Sequence, residues 1–348
     1  MNFLAREDRL STCPLVRLIK RSLRQVPKIR RRCCAVRVCL IFNPRAGGAE
    51  NIKNFILQLT GAHRCELRPI SGEQSASRIA REAVDDGFTR IIVAGGDGTI
   101  NGVVNGIAPD FDSVELAILP FGTGNDLARA LGLTPDIPQD ACRAAFESRT
   151  ERIDLIRLRS HDTTSYCVNV ANAGLGGRIA ADIRIGDKQR WGTLAYWMTS
   201  VSRLVNMHAM DIRMTIDDQQ MALNAYGLAI ANGRFVGGGF PIAPCACLND
   251  GLMDITIVPV LPHLELMAAG LNFTLGRNHR EDRIRTYTGR KVHIKADFEI
   301  PFSIDGEPTQ RLEGEFECIP RTLRVITGDN PSGLTAAFER SVQEALQA

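Results

Sequence analysis

Arg90-Ile-Ile-Val-Ala-Gly-Gly-Asp-Gly-Thr99 is the segment with the clearest structural meaning in this sequence. Its apolar, β-branched start predicts a buried strand, and its glycines predict a sharp turn into a helix that runs to about Ile107. Open α/β sheets bind ligands beyond the carboxyl ends of their strands. Glycine there lets backbone N–H groups approach phosphate oxygens, and the following helix N-terminus favours negative charge. The segment therefore predicts a phosphate-binding turn in which Asp97 can hold Mg²⁺ or a ribose hydroxyl; a plain glycine-rich turn is the alternative.

Two further loops repeat this design. Pro120-Phe-Gly-Thr-Gly-Asn-Asp126 follows the strand predicted at Leu116–Leu119 and precedes a helix at Leu127–Leu131. Asn43-Pro-Arg-Ala-Gly47 follows the strand predicted at Val36–Phe42. Because the carboxyl ends of parallel strands meet at one edge of a sheet, we expect the three glycine-bearing loops to lie side by side. The sequence contains no GxxxxGK[ST] P-loop, and its first strand-to-helix turn lacks GxGxxG, which argues against a Rossmann dehydrogenase.

The pattern along the chain divides it into two domains and two terminal segments. Strands alternate with helices over residues 36–150, which predicts an α/β nucleotide-binding domain with a parallel sheet. Residues 151–321 carry strand patterns separated by turns, which predicts an antiparallel β-sandwich domain. Residues 1–35 form a basic extension, and we expect residues 322–348 to pack back on the first domain. The length of 348 residues suits two domains, because single cores stop growing near ~250–300 residues.

Further elements are predicted within each domain. The first domain adds a strand at Cys65–Pro69 and helices at Glu50–Leu59 and Gln74–Asp86. The strands predicted in the second domain, interrupted by a helical stretch at Gly192–Met207, are Arg152–Leu158, Tyr166–Ala171, Ala225–Ala231, Met253–Val258, Lys291–Ala296 and Phe298–Ile304.

The charge of the chain is unevenly distributed. Met1–Arg37 carries 11 Lys or Arg against Glu7 and Asp8, a local balance of 11 − 2 = +9, whereas the whole chain has a net charge of +3 and the remainder therefore 3 − 9 = −6. A basic arm on an acidic body predicts attraction to one anionic surface through the arm, and argues against a general nucleic-acid binder. The pattern of Leu15–Val26 indicates a short basic amphipathic helix, either an interfacial anchor or a solvated extension.

The cysteine and hydropathy patterns predict a cytoplasmic protein. The ten cysteines follow no repeating interval, as is typical of reduced thiols in the cytosol. Cys33-Cys34 and Cys245-x-Cys247 lack the two-residue spacer of zinc knuckles. No segment reaches the ~18–20 apolar residues of a membrane span, so we expect the protein to meet the inner face of the membrane from the aqueous side.

The ordered set of motifs resembles the catalytic domain shared by diacylglycerol kinases, sphingosine kinases and bacterial lipid kinases. The motifs, spread over roughly residues 36–327, are NPRAGG, GGDGTIN, LPFGTGND, NVANAGLGG, ANGRFVGGGFPIAP, LNDGLMDI and IDGEP. GGDGT alone is shared with NAD kinases and phosphofructokinases. The resemblance implies an α/β domain followed by a β-sandwich, as in NAD kinases and diacylglycerol kinases, with the active site in the cleft between them.

The resemblance also implies roles for individual residues. Glu307, in the DGE turn, would act as the general base, with Asp97 as a second catalytic residue. Phosphoryl transfer requires mainly positioning, charge neutralisation and one carboxylate to accept the hydroxyl proton. The residues expected to contact ATP are Asn43, Pro44, Arg45, Ala46, Gly47, Gly96, Asp97, Gly98, Thr99, Ile100, Asn101, Gly102 and Thr123.

A structural Mg²⁺ and a lipid partner follow from the same resemblance. The metal would be held by the carboxylate of Asp250 and the main-chain carbonyls of Cys247 and Leu252, with a water-linked carboxylate network reaching toward Asp97. The acceptor would be diacylglycerol or a similar lipid, phosphorylated by ATP to phosphatidic acid or its equivalent. The basic arm would bind anionic phospholipid, each cation contributing about 1 kcal/mol. A homodimer is left open.

The sequence also allows other interpretations of Glu307 and of the function. Without the resemblance, Glu307 would be interpreted as a solvated hairpin carboxylate, which is the usual fate of Asp-Gly turns. Gly102 and Ile70 depart from the glutamate and threonine common in relatives, and predict altered nucleotide affinity. An NAD-kinase-like enzyme with a polar acceptor and a non-catalytic nucleotide-binding membrane adaptor are the rival functions; LNDG and IDGEP argue against the first, and the retained Asp97, Asp250 and Glu307 against the second.

Overall fold

The computed structural model describes residues 36–44, 65–71, 74–133, 144–146, 150–160, 163–174, 209–262, 265–266, 268–269 and 284–328. Three of the predicted features lie outside these residues: the basic extension 1–35, the helix at Glu50–Leu59 and the helical stretch at Gly192–Met207.

The first part of the chain forms a parallel sheet with helices against it. Its strands are β1 (Val38–Phe42), β2 (Glu66–Pro69), β3 (Arg90–Gly95) and β4 (Glu115–Pro120), in the spatial order β4-β3-β1-β2. The helices described here are α1 (Ala76–Asp85), α2 (Asp97–Ile107) and α3 (Asp126–Ala130). The three central strands are almost completely buried, which accounts for their continuous apolar sequences.

The second part is antiparallel. Its strands are β5 (Thr150–Ser160), β6 (Thr163–Cys167), β7 (Val170–Gly174), β8 (Met210–Ile216), β9 (Gln219–Ala231), β10 (Phe235–Val236), β11 (Phe240–Pro241), β12 (Met253–Pro259), β13 (Arg285–Gly289), β14 (Lys291–Ile304) and β15 (Glu307–Ile326). The paths β13-β12-β9-β7-β14-β15 and β8-β14 give the strand-rich domain its framework. The predicted fold class, an α/β domain followed by an antiparallel β domain, is confirmed.

The last described strand joins the two parts. β15 pairs antiparallel with β14 and β5, and its end then pairs in parallel with β4 through Arg324↔Glu115 and Val325↔Leu116. Val325 is fully buried within the apolar core of the first part. The chain therefore returns to the parallel sheet of the first part after completing the β domain. Residues 329–348 lie outside the described part, and the domain boundaries remain a proposal.

Two strand predictions in the second part differ from the structure. The single strand predicted at Tyr166–Ala171 is two strands, β6 and β7, because the main-chain amides of Val168 and Asn169 turn toward the carboxylate of Asp305 at 2.8 and 2.9 Å. The two strands predicted at Lys291–Ala296 and Phe298–Ile304 form the single strand β14, with an irregular register between Lys295 and Ile300. A β-bulge keeps such a strand continuous while interrupting its alternating pattern.

Helices α1 and α2 approach each other closely at two glycines. A methyl group added at Gly106 would overlap the carbonyl oxygen of Ser77, and one added at Gly102 would lie 2.9 Å from the Cβ atom of Ala76. Such distances are shorter than van der Waals contact, so the α1–α2 interface requires glycine at both positions. This packing fixes the middle and the end of α2 against α1.

Candidate functional site

The GGDGT and PFGTGND loops pack directly against each other. A methyl group added at Gly96 would lie 3.0 Å from the Cα atom of Gly122, so the two backbones touch. Asn125 adopts the left-handed conformation, with φ of 51°. Its Oδ1 accepts a hydrogen bond from the Gly122 amide at 2.9 Å, and its Nδ2 donates to the Gly122 carbonyl at 2.6 Å. The amide side chain thus closes the second loop on itself and fixes its position beside the first.

Asp97 stands where the two loops meet. Its carboxylate accepts hydrogen bonds from the backbone amides of Asn125 at 3.0 Å and Asp126 at 3.1 Å. Burial, followed by the negative charges of Asp126 and Asp305, raises the pKa of Asp97 from 3.8 to about 7. The concentration of negative charge suits a site that receives a cation or a proton.

The β domain contacts this site through the Gly-Gly-Gly segment of the ANGRFVGGGFPIAP motif. The amides of Gly238 and Gly239 donate to Oδ1 of Asp126 at 3.0 and 2.7 Å. Asp126 is itself buried and is the first residue of α3. The contact therefore connects the PFGTGND loop to the second domain, as expected of a cleft that both domains form.

Glu307 reaches the same place from the opposite side. It is exposed at the start of β15, and its carboxylate lies against the Cα atom of Gly98, so that a methyl group added at Gly98 would overlap Glu307 Oε1. Gly98 is the residue next to Asp97. The proposed base and the GGDGT loop are therefore neighbours, although more than two hundred residues separate them in sequence.

Asp305, two residues before Glu307, is the residue that positions this hairpin. It is buried, has a φ of 48°, and its carboxylate accepts hydrogen bonds from the amides of Val168, Asn169 and Val170 at 2.8 to 3.0 Å. Asn101 of α2 donates to the same carboxylate at 2.7 Å. The hairpin that carries Glu307 is thus attached both to its own domain and to the helix that begins at Asp97. Asp305 belongs to the IDGEP motif, but no sequence pattern predicts its role.

The structure brings some of the predicted nucleotide contacts together. Asn43 donates from Nδ2 to Thr99 Oγ1 at 3.1 Å, which joins the first loop to the GGDGT loop. Pro44 follows Asn43 and is partly buried, and Thr123 is exposed on the second loop. Arg45, Ala46 and Gly47 lie outside the described residues.

Some of the residues predicted to contact ATP, or to affect its binding, face the protein interior and not the loops. The side chain of Ile100 is buried in the core, so only its backbone is available to a ligand. Gly102 faces α1, as described above, and its place in the sequence is accounted for by helix packing. Ile70 packs against the first core and donates its amide to the carbonyl of Phe42 at 2.8 Å.

The predicted metal loop forms a compact turn near Asp154. Asp250 Oδ1 accepts the amide of Leu252 at 3.1 Å, and the thiol of Cys247 donates to Asn249 Oδ1 at 3.2 Å. Asp154 is fully buried, and its carboxylate accepts the amide of Gly251 at 2.6 Å. Burial raises the pKa of Asp154, and the neighbouring Asp250 raises it further, which places the two carboxyl groups close together.

An oxygen-only site at this loop fits Mg²⁺, which prefers carboxylate, carbonyl and water ligands. The described residues contain no group of three or more His, Cys, Asp or Glu side chains arranged to hold a metal, so main-chain carbonyls would have to complete the site. A cavity of about 420 Å³, lined in part by Asp250, Gly251 and Arg321, gives the loop access to solvent. The carboxylates that act on Asp97 are Asp126 and Asp305, and a network from Asp250 remains a prediction.

Two family models match nearly all of the described chain. Residues 37–158 match the diacylglycerol kinase catalytic domain, and residues 169–327 match the YegS C-terminal NAD kinase beta sandwich-like domain. A protein of Xanthomonas campestris pv. campestris described as "Probable lipid kinase YegS-like" is 31% identical over 293 residues, which cover 82% of this chain and 94% of that protein. The chain belongs to the YegS-like lipid kinase family.

Further comparisons agree with membership of this family. A "Probable lipid kinase YegS-like" of Stenotrophomonas maltophilia is 29% identical over 292 residues, which cover 82% of this chain and 94% of that protein. A solved structure of a diacylglycerol kinase from Bacillus anthracis has the same fold, with a TM-score of 0.66 at 22% identity over 86% of this chain and 98% of that one. The YegS-like family makes this chain a lipid kinase, with ATP as the phosphoryl donor that kinase chemistry implies. Among the described helices, none is long and apolar enough to cross a bilayer.

Proposed function

We propose that this lipid kinase transfers the terminal phosphoryl group of ATP to the hydroxyl of diacylglycerol or a closely similar lipid, with Glu307 as the general base. One observation carries the proposal: the Glu307 carboxylate lies against Gly98, beside Asp97, at the loops that suit phosphate. A hairpin carboxylate that was merely solvated would be expected to point into water and not to contact a loop of the other domain.

In the proposed reaction the lipid hydroxyl oxygen attacks the γ-phosphorus in line. A new P–O bond forms to the lipid oxygen, the bond between the γ-phosphorus and the bridging oxygen breaks, and ADP leaves with that electron pair. Glu307 accepts the proton of the attacking hydroxyl. Its exposure leaves it accessible to a lipid that enters from the membrane side.

The remaining residues position the nucleotide. The loops at Asn43–Pro44, Gly96–Thr99 and Gly122–Thr123 would surround the phosphates through backbone amides and hydroxyl groups. Asn101 would act through Asp305, which it binds at 2.7 Å, and would thereby hold the Glu307 hairpin in register with the GGDGT loop.

Magnesium would neutralise phosphate charge when bound. Asp97 and Asp126 are the carboxylates at the loops that could face it; burial, and then the charges of Asp126 and Asp305, raise the pKa of Asp97 to about 7, and a cation at this place would favour its ionised form. Asp250, with the carbonyls of Cys247 and Leu252, would hold a second, structural ion. The basic arm of residues 1–35, peripheral binding to an anionic inner membrane leaflet and a cytoplasmic location belong to this proposal as well.

A transfer assay tests the proposed acceptor and base together. The full chain would be incubated with radiolabelled ATP and mixed micelles that contain diacylglycerol, another lipid alcohol, or no acceptor, with NAD as a soluble control. We expect label in phosphatidic acid for the wild type and none for Glu307→Gln, with ADP affinity unchanged in the variant. Turnover by Glu307→Gln at the wild-type rate would show that Glu307 is not the base. Label in NADP would show that the acceptor is NAD and not a lipid.

A further inference from the structure

The triple-glycine segment Gly237–Gly239 has the geometry of an anion-binding site. All three residues have positive φ angles, of 64°, 92° and 106°. Where successive amides of a turn point to one side, they form a concave nest for an anion. The structure contains one anionic group in this position already, because the amides of Gly238 and Gly239 both donate to Oδ1 of Asp126.

Steric crowding does not account for Gly237 or Gly238. A methyl group added at Gly237 would meet nothing within 4 Å, and one added at Gly238 would meet only the Thr123 carbonyl oxygen at 3.8 Å and the Gly124 Cα atom at 3.9 Å. There is room for side chains, so the backbone conformation is what requires glycine. The conformation in turn is what makes the two amides converge on one oxygen.

Arg129 adds a positive charge beside the nest. A methyl group added at Gly239 would lie 3.3 Å from Arg129 Nε and 3.5 Å from its Cζ atom. Arg129 is exposed, so its guanidinium is accessible to a ligand. A guanidinium next to two convergent amides is a donor set that suits a phosphate group.

The nest also lies next to the reacting groups. Gly238 faces Thr123 and Gly124 of the second nucleotide loop, and Asp126 lies next to Asn125, whose amide binds Asp97. Glu307 lies at Gly98, on the other side of Asp97. The nest and Glu307 are therefore both neighbours of the two loops that meet at Asp97.

We propose that the amides of Gly238 and Gly239, together with the Arg129 guanidinium, bind the terminal phosphate of the nucleotide, and that the Asp126 carboxylate occupies this nest when the phosphate is absent. The inference rests on the proposed function for the identity of the nucleotide. It assigns the transferred group to a site supplied by the β domain, so that the second domain detects whether the bound nucleotide still carries a third phosphate. When the phosphate binds, the nest exchanges the Asp126 carboxylate for the phosphate.

Calorimetric titration of the full chain with AMP-PNP and with ADP, each with Mg²⁺, tests this assignment. In Gly239→Ala and Arg129→Gln we expect affinity for AMP-PNP to fall by about tenfold or more, the effect of losing charge-assisted hydrogen bonds, and affinity for ADP to change by less than about twofold. Gly87→Ala is the matched control, because Gly87 also has a positive φ, of 78°, and lies away from the loops. Its two affinities should stay at the wild-type values.

Asp126→Ala provides a second measurement that does not require the glycine variants to fold. Removing the carboxylate leaves the nest open, so inorganic phosphate without Mg²⁺ should raise the Tm of Asp126→Ala and leave that of the wild type unchanged. Short-chain phosphatidic acid in a parallel titration shows whether a lipid phosphate uses the nest in place of the nucleotide; a Tm rise with it and an unchanged AMP-PNP preference in Arg129→Gln would overturn the assignment.

A purely structural contact between domains predicts different results. In that case the glycine and arginine variants would weaken AMP-PNP and ADP equally, or neither, and phosphate would not stabilise Asp126→Ala; either result excludes the nest as a phosphate site. The nucleotide and phosphate titrations contain no lipid. If the wild type labels no lipid, but Gly239→Ala and Arg129→Gln lose their preference for AMP-PNP over ADP, only the proposed acceptor is disproved.

Discussion

The carboxylate of Glu307 lies against Gly98, and a methyl group added at Gly98 would lie only 2.2 Å from Glu307 Oε1. Gly98→Ala should therefore displace the carboxylate while leaving its chemistry intact. We expect kcat to fall by about 10²–10⁴, the usual contribution of a positioned general base. Stability should stay the same or rise by up to about 1 kcal/mol, because alanine is the better residue in a helix. Steady-state kinetics and thermal unfolding of the same preparation measure both effects.

Gly106→Ala is the control for this substitution, because it lies in the same helix and faces α1. Its added methyl group would overlap the Ser77 carbonyl oxygen, which should cost about 1–3 kcal/mol of stability by overpacking. Its effect on kcat below the unfolding temperature should be small. Loss of stability without loss of kcat in Gly106→Ala, and the reverse in Gly98→Ala, would separate positioning of Glu307 from general damage to α2. Equal loss of kcat in both variants would contradict the assigned contact.

Asp305→Asn should damage both stability and activity. The carboxylate accepts hydrogen bonds from Val168, Asn169, Val170 and Asn101, and an amide in its place would direct N–H groups at some of those donors. We expect a loss of about 3 kcal/mol in the free energy of unfolding, the scale of a broken buried network. The substitution also loosens the hairpin that carries Glu307, so kcat should fall more than nucleotide affinity.

Denaturant unfolding and ADP titration measure these effects for Asp305→Asn. Asp297→Asn is the control, since Asp297 is exposed in β14, the strand that leads into the Asp305 turn, and pairs with Arg213 at the surface. Its stability should stay within about 0.5 kcal/mol of the wild type. Wild-type stability in Asp305→Asn would show that the hairpin is held by other contacts.

Local sequence patterns predicted the parts of the site that are local. The strand, turn and helix around Arg90–Ile107 follow from apolar residues and glycines within eighteen positions, and the structure has β3 and α2 there. Asp305 could not be assigned in this way. Its partners Val168 and Asn169 are 137 and 136 residues away, and no periodicity marks an aspartate that binds distant amides. The Asp-Gly dipeptide itself was a signal, because aspartate in a turn tolerates the left-handed conformation and its carboxylate can bind backbone amides.

Local sequence patterns likewise could not predict how the two domains are joined. β15 is 20 residues long and its final pairing with β4 joins Arg324 to Glu115, a relationship that depends on where the whole β domain ends in space. The same holds for Gly238 and Gly239, whose partner Asp126 lies 112 and 113 residues earlier. The ANGRFVGGGFPIAP motif was recognised as a family feature, yet only the positive φ angles and the contact with Asp126 show what its glycines do.

Removal of the Asp250 carboxylate should abolish stabilisation by Mg²⁺ at the proposed structural site. In the absence of nucleotide, we expect Mg²⁺ to raise the Tm of the wild type, because binding at a hundred times Kd adds about 2.7 kcal/mol to the native state. Asp250→Ala should show no such rise. Asp218→Ala, which removes an exposed carboxylate in the β8–β9 turn, should respond like the wild type. A rise that persists in Asp250→Ala and disappears in Asp97→Asn would place the ion at the nucleotide loops.

The ionisation of Asp97 should make stability fall as the pH rises. Burial and the charges of Asp126 and Asp305 raise the pKa of Asp97 from 3.8 to about 7 in the native state. Between these two pH values the native protein binds more protons than the unfolded chain, so the free energy of unfolding decreases with increasing pH and levels off above about 7. Asp97→Asn, which cannot ionise, lacks this dependence.

Denaturant unfolding at pH 5 and pH 8 measures this effect as a difference between two proteins. The stability of Asp97→Asn relative to the wild type should be higher at pH 8 than at pH 5, whatever the cost of the substituted amide at either pH. Mg²⁺ that binds beside Asp97 would stabilise the carboxylate and reduce the difference at pH 8. A relative stability of Asp97→Asn that is the same at both pH values would mean that Asp97 is ionised throughout this range, and that the surrounding amides outweigh burial and its carboxylate neighbours.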